Sequence, residues 1–329
     1  MPALLTHYIC GDEVVKTIDV SEVINVINSH RNMFNLGTQG PDFFFYHNAW
    51  PWSKGESLYQ IGVKLHFEKV KAFFDNALDV IDKAEGEERE KLQAYLYGYV
   101  CHYSLDLHTH PYIFYKTGFV VDENEDKRKF DANHRRFEAE LDVIMAQEIL
   151  KKRAHEILTH QLIAISDEEA ALLARMYNYI LKNMFDMDVP EDEIKKAPKD
   201  MADVTKALRN ATGIKKAIIG FIEKIIYKYP LISNMIYPQK IDKSLDHLNN
   251  THSSWYYPWD KDSAQYSSLL EMFRDAVEEA KTMCTAINGY FNGSLDKCQV
   301  LDILGNRSFD SGLDCDTREK FRYYDLIYK

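Results

Sequence analysis

No apolar run in the chain approaches the roughly 20 residues that a helix needs to cross a bilayer, and residues 1 to 15 show no charged start followed by a long apolar stretch. A soluble, cytoplasmic protein is the expectation. A basic excess is missing too: 51 acidic residues stand against 40 basic, a net charge of −11, and no basic block is long enough to track phosphates. No stable nucleic-acid complex is therefore expected, although metal ions would let an anionic substrate overcome that charge. Cys10, Cys101, Cys284, Cys298 and Cys315 are odd in number, widely spaced and form no CxxC pair. That pattern argues against both a disulfide framework and a thiolate zinc site. Repeats and low-complexity segments are absent. With 46% hydrophobic residues over a length of 329, the chain can bury a core, which points to one large domain or two unequal ones.

Sustained strand alternation between turn signals is also lacking, whereas apolar residues recur at three- and four-residue spacing. The fold class expected is all-α, a multi-helix bundle. Helices are predicted from Ser21 to about Leu36, Ser57 to about Ala84, Glu87 to about His110 with Pro111 ending it, and Asp126 into the 140s. A further helix from Asp167 to Asp186 opens with the capping-box pattern Ser166-Asp167-Glu168-Glu169. Pro190 and Pro198 bracket a short charged connector, the expected boundary between a unit of residues 1–190 and a helical extension of residues 191–329. Beyond it come helices near Met201 to Tyr229 and Ser263 to Phe291, with an ordered loop over 230–260 between them.

Histidine runs out early. Of the 12 histidines, His7, His30, His47, His66, His102, His108, His110 and His134 lie in the first 134 residues, and none follows His252. Histidine chemistry therefore belongs to the N-terminal half. In Gly98-Tyr-Val-Cys-His102-Tyr-Ser-Leu-Asp106-Leu-His-Thr-His110-Pro111, the spacing 102, 106, 110 drifts only about 40° per step around an α-helix, so the three side chains share one stripe. A histidine and a carboxylate one turn apart can close on one metal ion. His134 and Glu138 repeat this geometry on the next helix. A lone His-xxx-Asp pair is more often a surface hydrogen bond. Here the first pair lies in an apolar, aromatic helix, where buried imidazole and carboxylate need the compensation that a metal supplies. His108 falls off the stripe and either supports a ligand or lies at the surface; His30, His155 and His160 sit singly and are read as solvated or packed.

These motifs stand beside three others: the opening Met1-Pro-Ala-Leu-Leu-Thr6-His7-Tyr8, then Gly40-Pro41-Asp42-Phe43-Phe44-Phe45-Tyr46, then Gly62-Val-Lys-Leu65-His66. As a set over about residues 1–150, the chain resembles the zinc-dependent phospholipase C family, which is related in fold to the P1/S1 nucleases. The resemblance implies an all-helical catalytic domain, 1–190, that hydrolyses phosphate esters by a metal-bound hydroxide, with the extension packed on it. It implies two or three Zn2+ ions: one held by Asp42, His66, His102 and Asp106, a second by His110, His134 and Glu138, and a third by His7 with Asp106 as the bridge. Asp42 and Asp106 are the catalytic candidates. Secreted relatives add a free N-terminal amine as a ligand, whereas this sequence opens at Met1 with His7 close behind. In that opening, Thr6-His7-Tyr8 is expected to precede the first helix as a terminus fixed by metal.

The substrate is less legible. Phe43 to Tyr46 and Trp50-Pro51-Trp52 could box a quaternary ammonium, stack on a nucleobase, or serve as core and loop cover. Trp255-Tyr-Tyr-Pro-Trp259 reads as a lid over the site or as packing for the C-terminal helices. The basic, apolar segment Gly213-Ile-Lys-Lys-Ala-Ile-Ile-Gly-Phe-Ile-Glu-Lys-Ile-Ile reads as a membrane-surface contact or as a buried helix with lysines at its rim. A small-molecule or phospholipid phosphodiester is the expected substrate. A nuclease-like phosphodiesterase and a non-catalytic metal-stabilised protein are the alternatives, the last requiring ligands closed off by protein.

Overall fold

The structure, a computed structural model, describes residues 4–50, 52–317 and 319–328. Thirteen α-helices and one hairpin make up its regular structure among the described residues, and it is predominantly all-α. In chain order the helices are α1 (Leu4–Thr17), α2 (Ser21–Ser29), α3 (Arg31–Gly37), α4 (Tyr59–Phe67), α5 (Val70–Lys83), α6 (Gly86–Thr117) and α7 (Lys127–Glu148). They continue with α8 (Thr159–Leu162), α9 (Asp167–Phe185), α10 (Glu191–Leu208), α11 (Ile214–Ile226), α12 (Leu269–Phe291) and α13 (Lys297–Leu304). Strands β1 (Trp255–Tyr257) and β2 (Asp260–Gln265) pair antiparallel in the register Trp255↔Gln265 and Tyr256↔Ala264, with an irregularity after Tyr256. None of these helices is long and apolar enough to cross a membrane.

Helix α6 is the axis of the molecule. From Leu92 to Thr117 nearly every residue is buried, the signature of a helix enclosed on all sides rather than lying on a surface. Helices α1, α2, α3, α5, α7, α9 and α12 and strand β1 all pack against it. Its tightest neighbour is α3, where Gly37 and Gly98 face each other. A Cβ on Gly98 would lie 2.2 Å from the Phe34 carbonyl oxygen, and one on Gly37 would lie 2.2 Å from that of Tyr95. One continuous apolar core runs from Leu4 to Phe309. The segments after residue 190 share it: Phe273, Ala276, Ala280 and Ile287 of α12 are buried, and Ser104 of α6 donates to the Ala276 carbonyl at 2.8 Å.

The capping box opens α9 as expected, with Ser166 Oγ accepting from Glu169 N–H and Glu169 Oε2 accepting from Ser166 N–H. Ser268 and Glu271 form the same device at the start of α12, so the residues from Ser263 that were expected to be helical belong instead to β2 and its exit. Several predicted boundaries moved for tertiary reasons. The helix expected over 21–36 breaks at His30, whose backbone leaves the helical region and whose ring meets Glu90. The one expected over 57–84 breaks at Lys69, which takes a left-handed φ of 56° and places its ammonium 2.6 Å from the Met184 carbonyl near the end of α9. The charged connector after Pro190 is the first turn of α10, where Glu191, Asp192 and Glu193 complement the helix dipole, and Pro198 lies within that helix. The helix expected over 201–229 is two, separated around Gly213 at φ +81°.

Pro111 does not end α6, which continues to Thr117. Proline fits helical φ, and its cost is the carbonyl one turn back, here that of Leu107, which loses its donor. Gly312, at φ +69°, brings its backbone against that carbonyl so closely that a Cβ would lie 3.0 Å from the oxygen. The contact draws the 308–312 turn onto α6 beside His110.

The α3–α6 contact yields a stability test. Gly98→Ala is expected to lower stability by about 1–3 kcal/mol, since the added methyl meets a backbone oxygen that cannot rotate away. An unchanged midpoint in chemical denaturation would contradict the close approach.

Candidate metal centre

The 102, 106, 110 stripe forms as its helical spacing requires. Asp106 sits in the middle with His102 Nε2 at 3.0 Å from its Oδ2 and His110 Nε2 at 3.4 Å from its Oδ1. All three side chains are buried. A second helix face meets this one: His134 and Glu138 of α7 lie one turn apart, with His134 Nε2 3.0 Å and His110 Nε2 3.6 Å from Glu138 Oε1.

Asp42 arrives through the turn that follows α3. Gly40 adopts φ +51°, and a Cβ there would lie 2.2 Å from His102 Cδ2, so only glycine lets the backbone pass over the imidazole. Asp42 then starts a short 3-10 turn and accepts from His66 Nε2 at 3.2 Å. His66 stands in the last turn of α4. His7 is not in a segment preceding the first helix, as the sequence suggested, but inside α1. Its Nε2 lies 3.3 Å from Asp106 Oδ1, and its ring stacks on His102 with centroids 4.1 Å apart.

Helix α1 is pinned at its start by a carboxylate from α7. Asp142 accepts from the N–H groups of Leu5 and Thr6 at 3.0 and 2.8 Å, from Thr6 Oγ1 at 2.7 Å and from Tyr237 Oη at 2.7 Å. Two first-turn donors that the helix itself cannot satisfy are thereby paired. Burial pushes the Asp142 carboxyl up to about 7, while these four hydrogen bonds favour its ionised form. The same contact sets the position of His7 one residue further on.

The rings are aimed by what their outer nitrogens hold. His66 Nδ1 donates to the Gly62 carbonyl at 2.7 Å, and His110 Nδ1 donates to that of Phe309 at 3.2 Å. His134 Nδ1 donates to Thr117 Oγ1 at 3.5 Å, whose own proton goes to the Ile113 carbonyl. In each case Nε2 is left facing inward towards the carboxylates, the orientation that metal-binding imidazoles adopt. Burial and the neighbouring His102 bring His7 down to about 3, so it is neutral and able to donate a lone pair. At Asp106 burial opposes ionisation, yet His110, His102 and His7 hold the carboxyl well below its ordinary range. Burial likewise opposes charge on His110, but Asp106, Asp310 and Glu138 outweigh it and push that imidazole up. The centre demands positive charge where these carboxylates converge.

A metal fits that demand. His102 Nδ1 and Nε2, His7 Nδ1 and Asp106 Oδ2 are buried without a hydrogen-bond partner, although His102 Nε2 and Asp106 Oδ2 are only 3.0 Å apart. These ligand atoms converge in a buried place with no hydrogen bond of good geometry to satisfy them. Ligand atoms about 2.0–2.1 Å from a tetrahedral zinc stand roughly 3.3 Å from each other, and the pairs here span 3.0–3.6 Å. Three triplets have all their ligand atoms within 4.8 Å of one another: His7, His102 and Asp106; Asp42, His66 and His102; His110, His134 and Glu138. The set is nitrogen and oxygen only, which suits zinc.

A family model described as zinc dependent phospholipase C matches residues 6–185, more than half of the chain. The chain belongs to the zinc-dependent phospholipase C family. No curated protein and no solved structure matches it. Family membership and these clusters make it a zinc-dependent hydrolase.

All eight expected ligand side chains of this phospholipase C family member converge, seven of them on a cleft of about 360 Å³ lined by His7, Asp42, His66, Asp106, His110, His134 and Glu138. The aromatics fare differently. Phe43, Phe44 and Tyr46 are core residues, with Phe43 and Phe44 edge-on to Tyr177, so they cannot box a ligand. Only Phe45 of that run faces the cleft. Trp50 and Trp52 stack on each other outside it, and Pro51 lies outside the described residues, as does Met1 to Ala3 with the amine. Trp255 is buried against Tyr112, and among the described residues Trp259 meets Phe321, which touches Phe114 of the cleft wall. His108 pairs with Glu279 at 2.8 Å, away from the ligands. Sequence reasoning missed Phe309, Asp310 and Asp142, whose roles arise only from tertiary contact.

Replacing His7 with Ala is expected to remove about one ion by elemental analysis while the His134 and Glu138 site stays filled, because those ligands are separate. Asp142→Asn keeps His7 but loosens its helix, and is expected to weaken zinc roughly 10–100-fold in chelator competition. An unchanged metal count in the His7 variant would remove that residue from the centre.

Proposed function

We propose that the protein hydrolyses phosphodiesters of amphiphilic, phospholipid-like alcohols in a phospholipase C-like reaction. The cleft carries this reading. Its floor is the ligand cluster, and its walls are apolar: Phe45, Tyr59 and Phe67 among others on the α4 side, Phe114, Phe119 and Phe130 among others towards α7. A phosphate at the floor and an alkyl chain along the walls match that division. The volume lies in the range of small-molecule sites, roughly 300–1,000 Å³. Because the cleft reaches the ligands, a closed, purely structural metal site is disfavoured.

Zinc, when bound, supplies Lewis acidity at the phosphoryl oxygen and makes water a stronger acid. The chain supplies the rest. Asp42 lines the cleft; although burial opposes it, His66 and His102 hold its carboxyl below the ordinary range, so it is ionised and available to take a proton from the attacking water. Asp106 fixes His7, His102 and His110 around it and would help hold the metal. Lys127 and Arg135 line the same cleft and offer positive charge to phosphate oxygens.

Protein purified without added metal is expected to contain zinc and to cleave p-nitrophenyl phosphodiesters and a short-chain phosphatidylcholine. Chelation abolishes the rate and zinc restores it. Asp42→Asn is expected to lower kcat by roughly 10²–10⁴-fold. Full activity after exhaustive chelation sinks the proposal, and a preference for oligonucleotides over the lipid ester moves it to a nuclease.

A further inference from the structure

Helix α11 is built inside out. Its inward face carries Lys216, Ile219, Gly220 and Glu223, and Glu223 is buried. Glu223 accepts from the N–H groups of Ile232 and Ser233 at 2.6 and 2.8 Å, while Lys216 donates to the carbonyls of Ser233 and Ile236 at 2.6 and 2.7 Å. The outward face is apolar: Ile214 is 62% exposed, Ile218 55%, Phe221 66% and Ile225 71%. At about 100° per residue these four fall within roughly 60° of arc, with Lys215 on one flank and Lys224 on the other. So many large apolar side chains on one exposed helix mark a contact surface.

We propose that α11 is a docking helix for an anionic lipid surface. Charge selects this occupant. From Gly213 to Ile232 the only acidic residue is the buried Glu223, so every exposed charge there, on Lys215, Lys224 and Lys228, is positive in a chain whose net charge is −11. An apolar face rimmed by lysines is the pattern of helices that lie about 5–10 Å into the headgroup boundary. Two copies meeting face to face would instead bring their lysines together. Position agrees with this assignment. The turn after α11 is tied to α7 through Asn234, which donates to the Ala132 carbonyl at 2.8 Å, and Arg135, which donates to that of Leu231. Arg135 also lines the cleft, as do the exposed Tyr59, Phe67 and Val120. The docking contact stands on its own, whereas its use in delivering substrate rests on the phosphodiester reading above.

The full chain with its metal is tested by co-sedimentation with vesicles of phosphatidylcholine alone and of phosphatidylcholine mixed with phosphatidylglycerol, both as non-hydrolysable phosphonate analogues so that hydrolysis does not intervene. Binding to the mixed vesicles is expected, falling with salt. The combined variant Ile218→Ser, Phe221→Ser, Ile225→Ser should bind roughly tenfold less or worse, and Lys215→Glu with Lys224→Glu should lose the preference for anionic lipid. All five positions are exposed, and the variants should keep the parent's rate on a p-nitrophenyl phosphodiester. Parent protein that stays in the supernatant, or a serine variant that binds as well as the parent, overturns the proposal. So does a parent that is dimeric by light scattering, binds no vesicles, and becomes monomeric in the serine variant. A parent that binds vesicles yet cleaves no phosphodiester upholds the docking and removes the substrate reading.

Discussion

A carboxylate buried at the centre of the longest helix governs this molecule. Asp106 is almost wholly buried at the cleft, and an isolated ionised carboxylate in such a place is strongly unfavourable unless opposite charge and hydrogen-bond donors surround it. His102 and His110 come from its own helix and His7 from α1, each within 3.0–3.4 Å. His110 in turn takes partners from α7 and the 308–312 turn, in Glu138, Phe309 and Asp310. The helices are thus arranged around a polar knot as much as around an apolar core, and a divalent cation is what lets that knot be both buried and stable.

Metal and fold are consequently coupled. The ligand triplets draw on α1, the turn after α3, α4, α6 and α7, so one small centre joins elements distant in the chain. Binding to ligands that only the folded state assembles adds its free energy to folding. The Asp142 contact shows the same economy at a helix end. One carboxylate satisfies the opening of α1 and thereby sets the bearing of His7.

The parts of the site that the sequence revealed are those set by local geometry. His102, Asp106 and His110 share a stripe because the helical period is rigid, and His134 with Glu138 follows the same rule. Resemblance, not spacing, brought in His7, Asp42 and His66, because nothing local ties α1, the Gly40 turn or α4 to α6. Asp142, Phe309 and Asp310 left no signal: an acid that caps another helix looks like any surface acid. Helix boundaries failed for a related reason. Nothing near Lys69 announces a distant carbonyl waiting for its ammonium, and nothing near Pro111 announces a glycine that shields the carbonyl it frees. The outward isoleucines of α11 left two readings open, because period alone says which residues share a face and not which way that face points.

The turn that aims His110 has a temporal side. His110 Nδ1 is held by the carbonyl of Phe309, and Asp310 Oδ1 lies 3.5 Å from the same nitrogen. A ribosome makes every ligand through Glu138 long before it makes that turn. The bearing of His110 therefore depends on a segment made after all eight ligand residues.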